Sequence, residues 1–269
     1  MTISNLDKAF APQSVAIIGG SDREGSVGNV VLRNILAGGY PGKVWPVNPK
    51  YRKVHGLPCY HRIADLPAAP DLAVIVTPSA SVPGLVGELA ARGCRAATVL
   101  TAGITDDNGL RPKMLEAGRD SLFRVIGPNV VGLILPHAKL NASFAHMDAR
   151  PGGLALLSQS GAMITSIIDW AADKEIGFSA LVSLGDQADV DVGDCLDMLA
   201  NDRNTRAVLL YLESIPSPRK FLSAARACSR LKPVIAIKAG RHAQSAAAAA
   251  THTGALAGMD AAVDAALER

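Results

Sequence analysis

The sequence predicts an α/β protein made of two successive units, each a parallel sheet flanked by helices. Three observations predict this. Short β-branched runs recur along the chain, and a stretch of helical character follows each one. The runs are almost continuously apolar rather than alternating, as expected of strands covered on both faces by helices. Small or polar residues follow them: GGS, NPK, TPS, TAG, GPN, SQSG, SLGD, LES and KAG. Any one of these is an ordinary turn. As a set they mark the carboxyl ends of strands, where ligands bind in such folds.

The elements follow in order. The first unit has strands starting at Ser14 (SVAIIGG), Lys43 (KVWPVNP), Leu72 (LAVIVTP), Ala96 (AATVLTAG) and Arg124 (RVIGPN). Helices are expected near Val27–Ala37, Ser81–Arg92 and Leu110–Arg119. The second unit has strands at Leu154 (LALLSQSG), Phe178 (FSALVSLG), Ala207 (AVLLYLES) and Pro233 (PVIAIKAG), with helices near Ala162–Lys174, Val192–Ala200 and Arg219–Arg230. Alternating strands and helices imply right-handed crossovers. Residues 135–153 interrupt the rhythm with mixed polarity, two prolines and a glycine pair. The expected organisation is therefore a first domain over 1–134, a connecting segment over 135–153 and a second domain over 154–269.

Composition excludes several classes. At 49% hydrophobic and 19% charged residues, the chain has ample core material. A net charge of +3 is scattered, and aromatics are only 4%, so no nucleic-acid face is expected. Cys59, Cys94, Cys195 and Cys228 lie far apart without zinc spacing, which predicts buried reduced thiols in a cytoplasmic protein. Neither a signal peptide nor a membrane-spanning run is expected.

In the first unit, Gly19, Gly20, Ser21, Gly25 and Gly28 lie between a strand and a helix. Glycines there let backbone N–H groups approach a phosphate at a helix start. A nicotinamide dinucleotide site would place a carboxylate at the end of the second strand. The chain has Asn48 and Lys50 instead. A cation suits a ribose bearing an extra phosphate, which both NADP and coenzyme A carry.

In the second unit, His252 stands in SAAAAATHTGALAG. A neutral imidazole nitrogen can attack phosphorus and carry a phosphoryl group near pH 7. The resulting anion needs donors such as a helix N-terminus. Ser160 and Gly161 open one helix, and Thr253 and Gly254 stand near the start of another. Glu213, at a strand end, is suited to accept the other ring N–H and fix the tautomer. His55, His61, His137, His146 and His242 lack such company and are read as surface or structural. Asp186, Asp189, Asp191 and Asp194 invite a metal, but helix N-capping by Asp189 or Asp191 is the favoured reading, and no metal is assigned.

These motifs together resemble the NDP-forming acyl-CoA synthetases, relatives of the succinyl-CoA synthetase α subunit. The resemblance rests on SVAIIGGS, KVWPVNPKY, LAVIVTPS, VIGPNVVGL, LLSQSGA, SLGDQADVDVGDCLDML, YLES and THTGALAG, in the family's order. It implies a Rossmann-like CoA-binding domain followed by a flavodoxin-like CoA-ligase domain. It also implies coenzyme A or acetyl-CoA lying across the first domain. The Gly19–Gly28 loop would face phosphates, and Asn48 and Lys50 would flank the ADP moiety. Thr77, Pro78, Ser79, Ala102, Gly103, Pro128 and Asn129 would line the pantetheine path. In the family, a histidine at the position of His252 takes phosphate from an acyl phosphate and passes it to a nucleoside diphosphate. A glutamate matching Glu213 orients it, and a pair matching Ser160–Gly161 cradles the phosphate.

The motifs LNASF and DW add a likeness to bacterial protein lysine acetyltransferases, in which a synthetase-like region is fused to a GNAT domain. The alternative function is thus an acyl-CoA-sensing regulatory region. An NADP-dependent oxidoreductase is a third reading, without a recognisable hydride-transfer constellation. The chain stops at MDAAVDAALER, in helical character. It is read as a truncated piece of a longer protein or a separate α-type subunit. Expected partners are acyl-CoA, phosphate, an ATP-grasp domain or subunit that binds ATP or ADP, a GNAT domain under the alternative, and further copies in an oligomer.

Overall fold

A computed structural model describes residues 3–239. The chain begins with a short helix α1 (Asp7–Phe10) and then β1 (Ser14–Ile18), α2 (Val27–Ala37) and β2 (Lys43–Val47). A small hairpin of β3 (Lys53–Val54) and β4 (Leu57–Pro58) follows. Next come β5 (Leu72–Ile75), α3 (Val82–Arg92), β6 (Ala96–Val99), α4 (Leu110–Gly118) and β7 (Arg124–Ile126). The five main strands are ordered β2-β1-β5-β6-β7, and every pair is parallel. All residues of β1 and β5 are buried, which explains their unbroken apolar sequence. Ser26 starts α2 by accepting the Asn29 N–H at 3.3 Å, and Val31, Leu32 and Ile35 form its buried stripe. Pro83 enters the first turn of α3, and Gly93 ends that helix in the left-handed conformation.

The second unit contains β8 (Gly132–Leu135), β9 (Leu140–Ser143), β10 (Pro151–Ser158), α5 (Gly161–Asp173), β11 (Phe178–Ser183), α6 (Val192–Ala200), β12 (Ala207–Leu212), α7 (Pro218–Ser229) and β13 (Val234–Lys238). Its six strands are ordered β13-β12-β10-β11-β8-β9. The pairs among β10 to β13 are parallel. β8 runs antiparallel to β11, and β9 antiparallel to β8.

This departs from the expectation for residues 135–153. The segment holds most of an antiparallel hairpin of the second sheet, and β10 begins at Pro151 rather than Leu154. The cause is local. β9 reads Leu-Asn-Ala-Ser, and all four residues are buried. Its two polar side chains satisfy each other, since the Ser143 hydroxyl donates to Asn141 Oδ1 at 2.5 Å. Buried polar groups with internal partners look like loop residues in a sequence.

The two units are tightly joined. β7 is an edge strand, and the segment after β11 runs along it. Asp186 N–H bonds to Pro128 O (3.1 Å), Ala188 to Gly127 O (2.9 Å) and Val190 to Val125 O (3.1 Å). An exposed strand edge is thereby covered. Charge reinforces the seam. Arg124, whose side chain is 7% exposed, donates to Asp189 at 2.9 Å and to Asp194 at 3.0 Å. Lys220 of α7 bonds Asp194 at 2.6 Å and Asp191 at 3.1 Å. On another side, Asn34 of α2 donates to the carbonyls of Ser143 (2.9 Å) and Ala145 (2.8 Å). One apolar cluster, including Ile17, Leu32, Leu133, Leu157 and Val182, runs through both units.

Candidate functional site

Strand order fixes where each sheet can bind a ligand. In the first sheet, the path from β1 goes outward to β2 and then crosses back to β5 on the other side. The crossovers diverge there and leave a crevice at the carboxyl ends of β1 and β5. A cleft of about 710 Å³ opens at that place. Gly19, Ser21, Ser26, Val27 and Gly28 form one wall, where α2 begins. Asn48, Lys50 and Tyr51 follow β2, and Val76, Thr77, Pro78 and Ser81 follow β5. His61 and Arg62 enter from beyond the small hairpin, Arg23 from the first loop, and Glu88 from α3.

The close approach at α2 depends on glycine. A Cβ on Gly28 would collide with the Gly19 carbonyl, and Gly19 itself has φ +99°. Hydrogen bonds hold the loop open. Asn48 Nδ2 donates to Gly20 O at 2.8 Å, and the Ser21 hydroxyl lies 3.2 Å from that of Tyr51. Three permanent cations, Arg23, Lys50 and Arg62, face one carboxylate, Glu88. With the N-terminus of an 11-residue helix, this cleft suits a polyanion.

A ledge continues from Thr77 across the sheet. The Thr101 hydroxyl donates to Thr77 O at 2.7 Å, and Asn129 N–H donates to Thr101 O at 3.0 Å. Ser79 Oγ and Gly103 are neighbours on it. Asn129 Nδ2 then reaches Asp186 of the second unit at 3.2 Å. Burial pushes the Asp186 carboxyl above its usual range, against the opposing pull of Asn129 and Arg111.

The second sheet repeats the geometry. From β10 the chain goes to β11 on one side and then to β12 on the other. The divergence point therefore lies between the carboxyl ends of β10 and β12, where Ser160 and Glu213 stand. The Ser160 side chain caps α5 by accepting the Met163 N–H at 3.4 Å. Gly161 has no room for a side chain, because a Cβ would strike Val131. Between Ser160 and Glu213 lies buried Gln159, 8% exposed. Its Oε1 accepts from the N–H groups of both Glu213 and Ser214 at 2.8 Å, and its Nε2 donates to Ser214 O at 2.7 Å.

The residues singled out in the sequence thus fall into two groups. Gly19, Ser21, Gly28, Asn48, Lys50, Thr77 and Pro78 line the cleft. Gly20 accepts from Asn48 behind it. Ser79, Ala102, Gly103 and Asn129 lie on the ledge or in the loops beside it, outside the cleft lining. Ser160 and Gly161 follow β10 and Glu213 follows β12, with Gln159 bonded to the Glu213 backbone between them. His252, Thr253 and Gly254 lie outside the described residues.

His61, expected to be a surface or structural residue, is exposed and also lines the cleft. Arg23, Arg62 and Gln159 were not anticipated. Arg23 sits inside the glycine-rich loop and was visible there, whereas nothing near Arg62 in the sequence ties it to a strand end. The capping reading holds for Asp191 and not for Asp189, which bonds Arg124 and the Val125 N–H instead. Asp191 caps α6, and Asp194 returns the bond to complete the reciprocal pair. Among the described residues, no group of three or more His, Cys, Asp or Glu is placed to hold a metal. No helix among them is long and apolar enough to cross a membrane.

Comparison with known proteins gives consistent matches. Residues 13–136 match the family described as a CoA binding domain, and residues 151–269 match the succinyl-CoA ligase like flavodoxin domain. The chain is 38% identical over 264 residues to the acetate–CoA ligase [ADP-forming] I subunit alpha of Pyrococcus furiosus, covering 95% of this chain and 57% of that subunit. It is 40% identical over 259 residues to the acetate–CoA ligase [ADP-forming] of Methanocaldococcus jannaschii, covering 96% of this chain and 36% of that protein. The structure superposes with a TM-score of 0.91 on a dinucleotide forming acetyl-coenzyme A synthetase 1 of Ca. Korarchaeum cryptofilum solved with phosphate and ADP. That match has 38% identity and covers 97% of this chain and 57% of the other. The chain therefore spans little more than half of the Pyrococcus subunit and the Korarchaeum synthetase, and about a third of the Methanocaldococcus ligase. The alternative of a lysine acetyltransferase sensor draws no support from these matches.

Proposed function

Because the chain belongs to the NDP-forming acyl-CoA synthetase superfamily, we propose that it supplies the CoA-binding and phosphohistidine-forming part of such an enzyme. The observation that carries the reading is the cleft at the switch point of the first sheet, with the ledge from Thr77 to Asn129 leading from it towards the second unit, whose own switch point is set by strand order. The cleft is cationic and long. The second switch point pairs a helix N-terminus with a carboxylate-bearing strand end.

Coenzyme A fits the first crevice by chemistry. Its pyrophosphate faces the start of α2, and Lys50, Arg23 and Arg62 surround its ribose phosphate. The pantetheine arm follows Thr77 and Thr101 towards Asn129. Phosphate oxygen attacks the thioester carbonyl of acyl-CoA, and the thiolate leaves and takes up a proton. The acyl phosphate formed is then attacked at phosphorus by the imidazole of His252, releasing the carboxylate. Ser160, Gly161, Thr253 and Gly254 offer donors to the phosphoryl oxygens. Glu213 accepts the other ring N–H and stabilises the charged imidazole. A nucleoside diphosphate oxygen, brought by an ATP-grasp partner, attacks phosphohistidine and restores the free ring.

Two measurements test this. Calorimetric titration of the 269-residue chain with CoA should show binding that Lys50→Ala weakens, with a smaller effect on dephospho-CoA. Incubation with radiolabelled acetyl phosphate should give an acid-labile label that is lost in His252→Ala. A label that survives acid or persists in that variant refutes the phosphohistidine, and NADPH binding without CoA binding refutes the cleft assignment.

A further inference from the structure

Gln159 links the start of α5 to the backbone that carries Glu213. Its main chain continues the β10–β12 pairing one step past the strand, with its N–H donating to Tyr211 O at 3.2 Å. Its side chain then takes over the role of a strand. The carboxamide receives two N–H groups and donates to one carbonyl, all at 2.7–2.8 Å, within residues 213 and 214. Three of the four hydrogen bonds available to the group are thus made to the backbone that carries Glu213. The residues on either side fix the helix start. The Ser158 hydroxyl donates to Ser160 O at 2.7 Å and accepts from Ser160 N–H at 3.1 Å. Ser160 in turn caps α5.

We propose that Gln159 is a positioning residue for Glu213, setting the separation between that carboxylate and the α5 N-terminus that receives phosphate. The inference rests on the phosphohistidine reading above. It goes beyond it by assigning the rigidity of this switch point to one carboxamide. A neutral group is required there. A lysine or arginine would pair with the Glu213 carboxylate directly, and an apolar side chain would take the partners from two part-buried N–H groups and a carbonyl.

The test measures labelling rate from acetyl phosphate in the 269-residue chain, with CoA affinity and thermal unfolding in parallel. Gln159→Leu keeps the side-chain volume and removes the clip. Labelling is expected to slow by about tenfold or more, since a misplacement of about 1 Å commonly costs on the order of 100-fold. CoA affinity should stay within twofold, because the cleft lies in the other unit. In the Glu213→Gln background, Gln159→Leu should cause little further loss, as expected of residues acting through one group. A merely structural role would give additive losses and would overturn the proposal, as would an unchanged rate in the single variant. If the leucine variant does not fold, Gln159→Asn replaces it, with the same donors and acceptors drawn back by one methylene and the same expected slowing. A wild-type chain that binds CoA but takes no label overturns the phosphohistidine reading and this inference together. A labelled wild type with an equally labelled variant overturns this inference alone.

Discussion

The buried ion network at the seam gives the sharpest stability prediction. Arg124→Met removes a guanidinium that is 7% exposed and bonded to Asp189 and Asp194. Burial pulls the Arg124 pKa down, but the two carboxylates raise it further, so the side chain stays charged. Removing one member of a buried pair costs about 3–5 kcal/mol, because the other charge is left uncompensated. Here the lower end applies. Asp194, 1% exposed, keeps Lys220 at 2.6 Å. Asp189 is 27% exposed and keeps the Val125 N–H at 2.9 Å. A loss of about 3 kcal/mol corresponds to a fall in Tm of roughly 6–12 °C for a chain of this size. The assay is urea unfolding followed by circular dichroism, with calorimetry for Tm. Arg124→Lys should recover about half the loss. Arg119→Ala, which breaks an exposed pair with Glu116, should stay within about 0.5 kcal/mol. Raising salt should barely change the Arg124 effect, since buried pairs are poorly screened. A loss below about 1 kcal/mol, or one abolished by salt, would refute the view that this network fastens the units together.

Three further outcomes are expected. Gly28→Ala forces the start of α2 away from the Gly19 carbonyl and should weaken CoA binding by about tenfold or more, with a smaller effect on unfolding, as read by titration calorimetry. Asp186→Asn should raise Tm at pH 7. The native carboxyl pKa is raised above 3.8 by burial, so the folded state binds more protons than the unfolded one between the two values, and wild-type stability falls as pH rises through that window. The advantage of the variant should therefore vanish at and below pH 3.8, and an advantage that persists there would contradict the assignment. The four cysteines are unpaired and buried, and burial pushes the Cys94 thiol up to about 12. Ellman's reagent at pH 8 should react slowly with the folded chain and at once with all four thiols in denaturant.

Much of this arrangement was written plainly in the sequence. β1, β2, β5, β6 and β7 begin at the residues where their apolar runs begin, because strands buried on both faces leave no ambiguity of period. α2 and α6 have their expected bounds, since Ser26 and Asp191 are strong caps. β9 was hidden for the opposite reason. Asn141 and Ser143 are buried but internally paired, so the segment reads as polar. The cleft glycines and Lys50 were legible as strand-end residues. Arg62 was not, because its place depends on how the β3–β4 hairpin folds back, and a sequence gives no local mark of that. Gln159 is not legible inside SQSG, where the serine and glycine that start a helix carry the local signal. Its importance arises from contacts with residues 54 and 55 positions away.

The placement of α2 carries one last consequence. Its first turn walls the cleft, while Asn34 near its far end is bolted to the β9 side of the second unit by two hydrogen bonds. The rod between these anchors is about 11 Å long. Held at both ends, it has no freedom to swing alone, so a molecule that tugs on its tip tugs on the neighbouring half as well.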